Sequence, residues 1–200
     1  MKIQLSIIII SVLLFVIIGT AQDKKKDVTD YFLILPENAT GISFDYRAEV
    51  LKTKSPKLYE WGYEDIDKIN GYLRLYFFNG NSGHAMEVVL WTQRGKPDII
   101  GVNVLACVKG KCLNKIYENT NKLIYFYEFS NNQLSDVTSS VFPGIDESDF
   151  PDPSNEKGMI TFGCNLPKAG LNIICRNVRN SQVEFLWANG RFTKNVAPGK

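Results

Sequence analysis

The stretch from Tyr72 to Leu105 constrains the fold more than any other part of the chain. Three runs of β-branched and aromatic residues, Tyr72 to Phe78, Met86 to Thr92 and Ile99 to Leu105, are separated only by Asn79-Gly80-Asn81-Ser82-Gly83 and by Gln93-Arg94-Gly95-Lys96-Pro97-Asp98. Both separators are dense in turn formers. Connections this short allow hairpins and leave no room for the crossover that parallel strands need, so the ladder is antiparallel. The pattern continues downstream. Lys122 to Phe129 and Gln133 to Val137 are joined by Asn131-Asn132, and Met159 to Asn165 and Leu171 to Val178 by the Pro167 to Gly170 turn. Val183 to Ala188 and Arg191 to Lys194 are joined by Asn189-Gly190, the strongest two-residue hairpin signal in the chain. The expected fold class is mainly β: antiparallel hairpins forming a sandwich or two packed sheets, with one or two short helices.

One helix is expected around Tyr63 to Ile69, ended by Asn70-Gly71. A second starts near Asp136, an acceptable N-cap, and stops before Pro143. From Gly144 to Lys157 the chain is acidic and broken by prolines, which reads as a surface loop. Its carboxylates, Asp146, Glu147, Asp149, Asp152 and Glu156, are of the type calcium prefers. Their spacing lacks the glycine an EF-hand requires at its sixth position, so a solvated loop is expected and no metal is assigned.

At the N-terminus, Met1-Lys2, an apolar run from Ile3 to Ile18 and then Gly19-Thr20-Ala21-Gln22 have the layout of a signal peptide cut before Gln22. The domain plan is a signal peptide over residues 1–21, a flexible segment over 22–30 and a single β-rich domain over 31–200. An uncleaved anchor competes, because Ile3 to Ala21 is just long enough to span a bilayer and Lys24 to Lys26 form a basic flank. The expected location is secreted or periplasmic, with membrane contact only through the transient signal peptide.

The 23 Lys and Arg nearly balance the 21 Asp and Glu, leaving a net charge of +2 and no global field to attract nucleic acid. The basic runs at Lys24 to Lys26 and Lys52 to Lys57 lack interleaved aromatic rings on which bases could stack. The four cysteines allow three pairings. Each local pair sits astride a turn: Cys107 and Cys112 can close a tight hairpin with Lys109-Gly110 at its tip, and Cys164 and Cys175 flank the turn at Pro167 to Gly170. Local pairing is therefore expected. Four thiolates on zinc would need close spacing on both sides, which the gap from Cys164 to Cys175 denies. No cofactor is expected.

Gly80-Asn81-Ser82-Gly83 looks like the loop that presents the nucleophilic serine in chymotrypsin-like and glutamyl-specific secreted proteases. The only histidine is His84, two residues on, where the fixed backbone between them disfavours an attack geometry. Glycine and asparagine are what a hairpin loop requires anyway, so no catalytic role is carried over. Glu87 and Glu128 each interrupt an apolar strand, and Tyr125, Tyr127 and Phe129 alternate onto one strand face, with Trp91 on another strand. One strand face must be core; a second, if exposed, is a platform for a partner. The candidate binding residues are therefore Trp91, Tyr125, Tyr127, Glu87 and Glu128. Two functions are weighed. The first is an exported, non-enzymatic β domain that binds an unknown protein or glycan, with the Asn79 to His84 loop, the Cys107 to Cys112 hairpin and the Gly144 to Lys157 loop as contact surfaces. The alternative is a carboxylate-dependent carbohydrate-active enzyme, which needs Glu87 and Glu128 in one cleft.

Several short motifs recur in a familiar order. They are Asp65-Ile66 before Asn70-Gly71-Tyr72-Leu73, Trp91-Thr92 before Gly95-Lys96-Pro97, the close cysteine pair, Asp136-Val137-Thr138, Leu166-Pro167 with Gly170, and Trp187 before Asn189-Gly190-Arg191-Phe192. In this the chain resembles a group of uncharacterised secreted β-rich proteins of Gram-negative bacteria. The resemblance implies compartment and fold and brings no activity with it.

Overall fold

A computed structural model of the chain describes residues 25–53, 61–79, 82–108, 111–114, 124–153 and 162–195; for 53, 61–64, 77–79, 82, 107–108 and 111–114 it describes the backbone alone. Helices come first: α1 (Val28–Ile34), α2 (Glu37–Thr40) and α3 (Phe44–Thr53). Then come strands β1 (Trp61–Asp67), β2 (Tyr72–Asn79), β3 (Ser82–Trp91), β4 (Asp98–Val108), β5 (Lys111–Asn114), β6 (Ile124–Ser130) and β7 (Gln133–Asp136). Helix α4 (Thr138–Val141) and a 3-10 turn at Glu147–Asp149 lead to β8 (Phe162–Asn165), β9 (Ile173–Asn177), β10 (Gln182–Ala188) and β11 (Arg191–Asn195).

All pairings are antiparallel. The large sheet runs β1-β2-β3-β4-β6-β7, and β5 pairs with the far end of the same β4 edge that β6 occupies. The small sheet runs β11-β10-β9-β8. Among the described residues every expected strand run contains a strand, while 109–110, 122–123 and 159–161 lie outside them. Asn131 and Asn132 both take positive φ, as do Asn189 and Gly190, which is the turn geometry that suits the twist of tight hairpins. Cys164 and Cys175 are direct cross-strand partners joined by a disulfide, the local pairing expected. Cys107 and Cys112 oppose each other in the β4–β5 register, while their sulfur atoms lie outside the described residues.

Two expectations are corrected. The segment from Tyr63 to Ile69 is not a helix: its residues to Asp67 form β1, paired with β2 through a bulge between Tyr63 and Asp65. A helix this short gains little against a full strand ladder, and Asn70 caps the turn by donating its backbone N–H and its side-chain amide to the Asp67 carboxylate, at 3.0 and 2.7 Å. The second correction concerns the segment assigned as flexible over 22–30. From Asp27 it is the capped start of α1, where Asp27 accepts from the backbone N–H groups of Thr29 and Asp30, and Asp30 accepts in return from Asp27 N–H. Val28, in the same stretch, is fully buried. Helix α4, by contrast, falls within the expected Asp136 to Pro143 window.

The large sheet is covered on both faces. One face, with Leu73, Leu75, Met86, Val88, Ile100 and Val102, packs against Val28, Phe32, Leu35 and Val50 of the helices. The other, with Val89, Trp91, Ile99 and Phe126, packs against Ile173, Val183, Phe185 and Phe192 of the small sheet. Each such aliphatic or aromatic side chain contributes roughly 1.5–3 kcal/mol on leaving water. The helical layer is fastened by Arg47, only 3% exposed. Its guanidinium donates to the carbonyls of Leu33, Leu35 and Ile42 and to the Thr40 hydroxyl, at 2.5–3.0 Å. Carbonyls left over at helix ends carry partial negative charge, so they partner the buried cation. Among the described residues no helix is long and apolar enough to cross a membrane.

Trp91 is the hub of the inter-sheet core, with ring centroids 5.4–5.8 Å from those of Phe126, Trp187 and Phe192. Its indole lies over Gly101, where a Cβ would meet Trp91 Cζ3 at 2.6 Å and Phe126 Cε1 at 3.1 Å. Gly101→Ala should therefore lower the unfolding free energy by about 1–3 kcal/mol through overpacking. Urea titration followed by tryptophan fluorescence checks this; an unchanged midpoint would mean the ring does not lie where described.

Candidate functional site

The aromatic residues expected to form a platform are inside the protein. Tyr125 and Tyr127 stack on each other, centroids 6.2 Å apart, beneath the helical layer, and Trp91 lies between the sheets. None is more than 5% exposed. The physical reason is the second cover on the large sheet: with helices on one face and the small sheet on the other, neither face of β3 or β6 is left to a ligand.

Glu87 is likewise buried, at 1% exposure. It points from β3 between the two sheets, where its Oε2 accepts from Leu166 N–H at 2.9 Å and from Asn103 Nδ2 at 3.0 Å. The Asn103 amide also donates to Cys164 O at 2.7 Å, so the two side chains together fasten the chain after β8 onto the centre of the large sheet. Burial pushes the Glu87 carboxyl above the ordinary range, and the Leu166 N–H, the Asn103 amide and the nearby Arg74 guanidinium pull against it. Burial also pushes the Tyr72 hydroxyl up, helped by the Glu87 charge.

Glu128 is half-buried on the same sheet face but far from Glu87. Glu87, Asn103 and Ile124 form one cross-sheet row, and Glu128 follows Ile124 further along β6. Strand geometry puts the two Cα atoms about 16 Å apart. Glycosidase carboxyls stand roughly 5–9.5 Å apart, and Glu87 is tied to Asn103 and Leu166, so the two do not share a cleft. Of the loops expected as contact surfaces, the tip residues 80–81 and 109–110 and residues 154–157 lie outside the described residues. The part of the acidic loop that is described folds on itself, with Asp146 and Asp149 capping the 3-10 turn and Asp149 pairing with Lys194 at 2.5 Å. Ser82 opens β3 opposite Asn79 and Val108, and His84 pairs in register with Phe77 and Ala106, so both belong to ladder rather than to a nucleophile loop.

What faces solvent together is the opposite end of the layers. The β1–β2 turn at Lys68 to Gly71 and the β3–β4 loop at Thr92 to Pro97 are neighbours through the register of β2 and β3. Trp91 Nε1 donates to Leu171 O at 3.1 Å, which brings in the β8–β9 loop, and Gly190 of the β10–β11 turn lies against Gln93. The N-terminal segment closes the group: Lys68 pairs with Asp27 at 2.9 Å, and Lys26 lies 5.1 Å from the Phe129 ring centroid. Lys168 of the β8–β9 loop pairs with Asp65 of β1, a further tie between the sheets. Although burial pushes the Asp27 carboxyl up, the Thr29 hydroxyl, Lys68 and the backbone N–H groups of Thr29 and Asp30 hold it at about 2, so it is ionised throughout the physiological range.

Two cavities flank the Ile69–Asn70 turn, one of about 300 Å³ beside Lys25, Lys26 and Lys68 and one of about 330 Å³ beside Lys168 and Leu171. Ile69 itself stands out between them, 96% exposed. None of these residues was singled out from sequence as a site. The turns were legible, but Ile69 stood at the end of an expected helix, and only the strand register and the contacts of Trp91, Gly190 and Asp27 show that four turns and the N-terminal segment meet at one end.

No family model matches the sequence, and no curated protein matches it. Among solved structures the chain is similar to a domain of an uncharacterised protein from Porphyromonas gingivalis W83, at 12% identity and a TM-score of 0.51, over 85% of this chain and 98% of that one. At that identity the likeness concerns the fold alone.

The raised Glu87 pKa has a definite sign. In the window between the unfolded value and the higher folded value the native state binds the extra proton, so stability contributed by protonated Glu87 is lost as pH rises through that window. Glu87→Gln keeps an acceptor for Leu166 and Asn103 and removes the titration. Its unfolding free energy should fall less than that of the wild type between about pH 5 and pH 8. Urea unfolding at both pH values checks this, and parallel pH profiles would contradict it.

Proposed function

We propose that the protein is an exported, non-enzymatic β domain that binds a protein or glycan partner in the cell envelope or outside the cell, through the end where its turns converge. The observation that carries this reading is Ile69, 96% exposed at the tip of a turn held by Asp67, Asn70 and Gly71 and flanked by two cavities. A large aliphatic side chain displayed on a hydrogen-bonded turn gains from being covered. Loops displayed on a rigid sheet are also where binding residues concentrate. Export is supported by the signal-peptide layout of residues 1–21 and by the Cys164–Cys175 disulfide, which an oxidising compartment maintains. The alternative glycosidase pair, Glu87 and Glu128, is disfavoured by its separation and by the burial of Glu87.

The test uses tagged protein expressed in its native host, crosslinked in the intact envelope, with recovered proteins and glycans quantified by mass spectrometry. Wild type and Ile69→Asp are compared with Val178→Asp, an exposed control in the turn after β9, at the other end of the small sheet. A partner enriched with wild type and with the control should fall about tenfold or more with Ile69→Asp, the effect of losing a central apolar contact. Equal recovery with all three proteins would remove this end from consideration.

A further inference from the structure

Pro167 to Leu171, the outer part of the β8–β9 loop, is held differently from the segments on either side of it. Upstream, Leu166 is buried and its N–H donates to the Glu87 carboxyl. Downstream, the Asn172 side chain accepts from Trp187 N–H and donates to Glu184, and Ile173 is buried in the inter-sheet core. Between these anchors Lys168 to Leu171 are all exposed. No turn hydrogen bond closes them among the described residues. Proline fixes the entry to this strap and has no N–H to give, and Gly170 takes a φ of +82° with open space where a Cβ would lie.

Two polar contacts tie the strap down. Lys168 pairs with Asp65 at an exposed site, where water competes for both charges and the pair contributes little. The second is the bond from Trp91 Nε1 to Leu171 O, 3.1 Å long. Leu171, the one large aliphatic side chain of the strap, is 51% exposed and so adds little packing. A segment with few buried contacts and exposed backbone lies at the low-stability end of a structure and opens without the rest. The cavity of about 330 Å³ is bounded by this strap, by the Ile69–Asn70 turn and by the end of β3 from Val89 to Thr92. Moving the strap therefore changes access to that cavity and to the nitrogen edge of Trp91.

We propose that the strap from Pro167 to Leu171 is a gate, which swings from β3 as a local unit, breaks the Lys168–Asp65 and Trp91–Leu171 contacts and opens the cavity. In the closed form Leu171 O satisfies the Trp91 indole N–H. In the open form an acceptor on an occupant takes that place, so the donor is not left unpaired. The open form is the minor one, on the order of 1% of molecules. The faces of the indole stay packed on Phe126, Trp187 and Phe192 in both forms, because those contacts belong to the strands. Opening is a property of the free chain, so it stands or falls apart from the reading that Ile69 recruits a partner.

The experiment is native-state hydrogen exchange read by NMR, with the Trp91 indole proton as reporter and the backbone N–H of Val102, on the central strand β4, as reference. Corrected for intrinsic rates, the Trp91 proton should exchange about tenfold or more faster than Val102 and show almost no dependence on low urea, since strap opening exposes little surface. Gly170→Ala puts a Cβ on the left-handed residue that the closed strap requires and should speed Trp91 exchange about fivefold or more. Lys168→Ala should speed it about two- to fivefold. Val50→Ala, in the helical layer on the other face of the large sheet, weakens the whole domain. It should speed Val102 exchange about tenfold or more and leave Trp91 exchange unchanged. The gate is overturned if the Trp91 proton shares the urea dependence of Val102 and accelerates with Val50→Ala, because it then exchanges only when the domain unfolds. It is equally overturned if Gly170→Ala and Lys168→Ala both leave Trp91 exchange unchanged, because the opening then lies outside the strap.

Discussion

Strand β4 carries Ile100, Val102 and Val104 on one face and Ile99, Gly101 and Asn103 on the other, and both sets are buried. A sheet whose central strand is apolar on both sides cannot leave either face in water, so the large sheet needs two covers. The N-terminal helices supply one and the four-stranded small sheet the other. Everything aromatic along β3 and β6 is consumed in satisfying that requirement. Trp91, Phe126 and Phe192 fill the space between the sheets, and Tyr125 and Tyr127 fill the space beneath the helices.

Each cover is fastened by a buried polar group as well as by apolar area. Arg47 fixes the turn from α1 into α3 by donating to the carbonyls of Leu33, Leu35 and Ile42. Glu87 and Asn103 hold Leu166 and Cys164, which sets the small sheet at one position along the large one. Apolar packing alone tolerates sliding; a satisfied polar pair in a dry interface does not, because a slip leaves donors and acceptors unpaired. A carboxylate that looked, in sequence, like a catalytic candidate on an apolar strand is in this way part of the fold's fastening.

The strand ladder was legible because its signal is local: period-two patterns bounded by Asn-Gly, Asn-Asn and Pro-to-Gly turns specify hairpins within a few residues. The Cys164–Cys175 pairing followed from the same hairpin logic. The helical layer was not legible. Helices α1 and α2 are one or two turns long, and their weak patterns are stabilised by contact with a sheet that lies far along the chain. The Tyr63 to Asp67 segment failed for the complementary reason, since its acidic residues suit a helix but β2 offers it a complete ladder. The candidate site was legible least of all. Lys68 and Ile69 belong to one turn and Lys168 and Leu171 to another, and no local pattern shows that Trp91 and the strand registers bring those turns to one end.

With both faces of the large sheet covered, the exposed large apolar side chains among the described residues are Ile34, Phe44, Ile69, Leu171, Val178 and Leu186, of which Ile69 is the most exposed. Hydroxyl-radical footprinting of the free protein, read by mass spectrometry residue by residue, tests this most directly. The layered arrangement predicts that Ile69 and Leu171 are oxidised readily while Trp91, Tyr125 and Tyr127 stay protected until the protein unfolds. Oxidation of Tyr125 and Tyr127 in the folded protein at rates typical of exposed tyrosine would contradict it, because the aromatic strand face would then be open to a ligand after all.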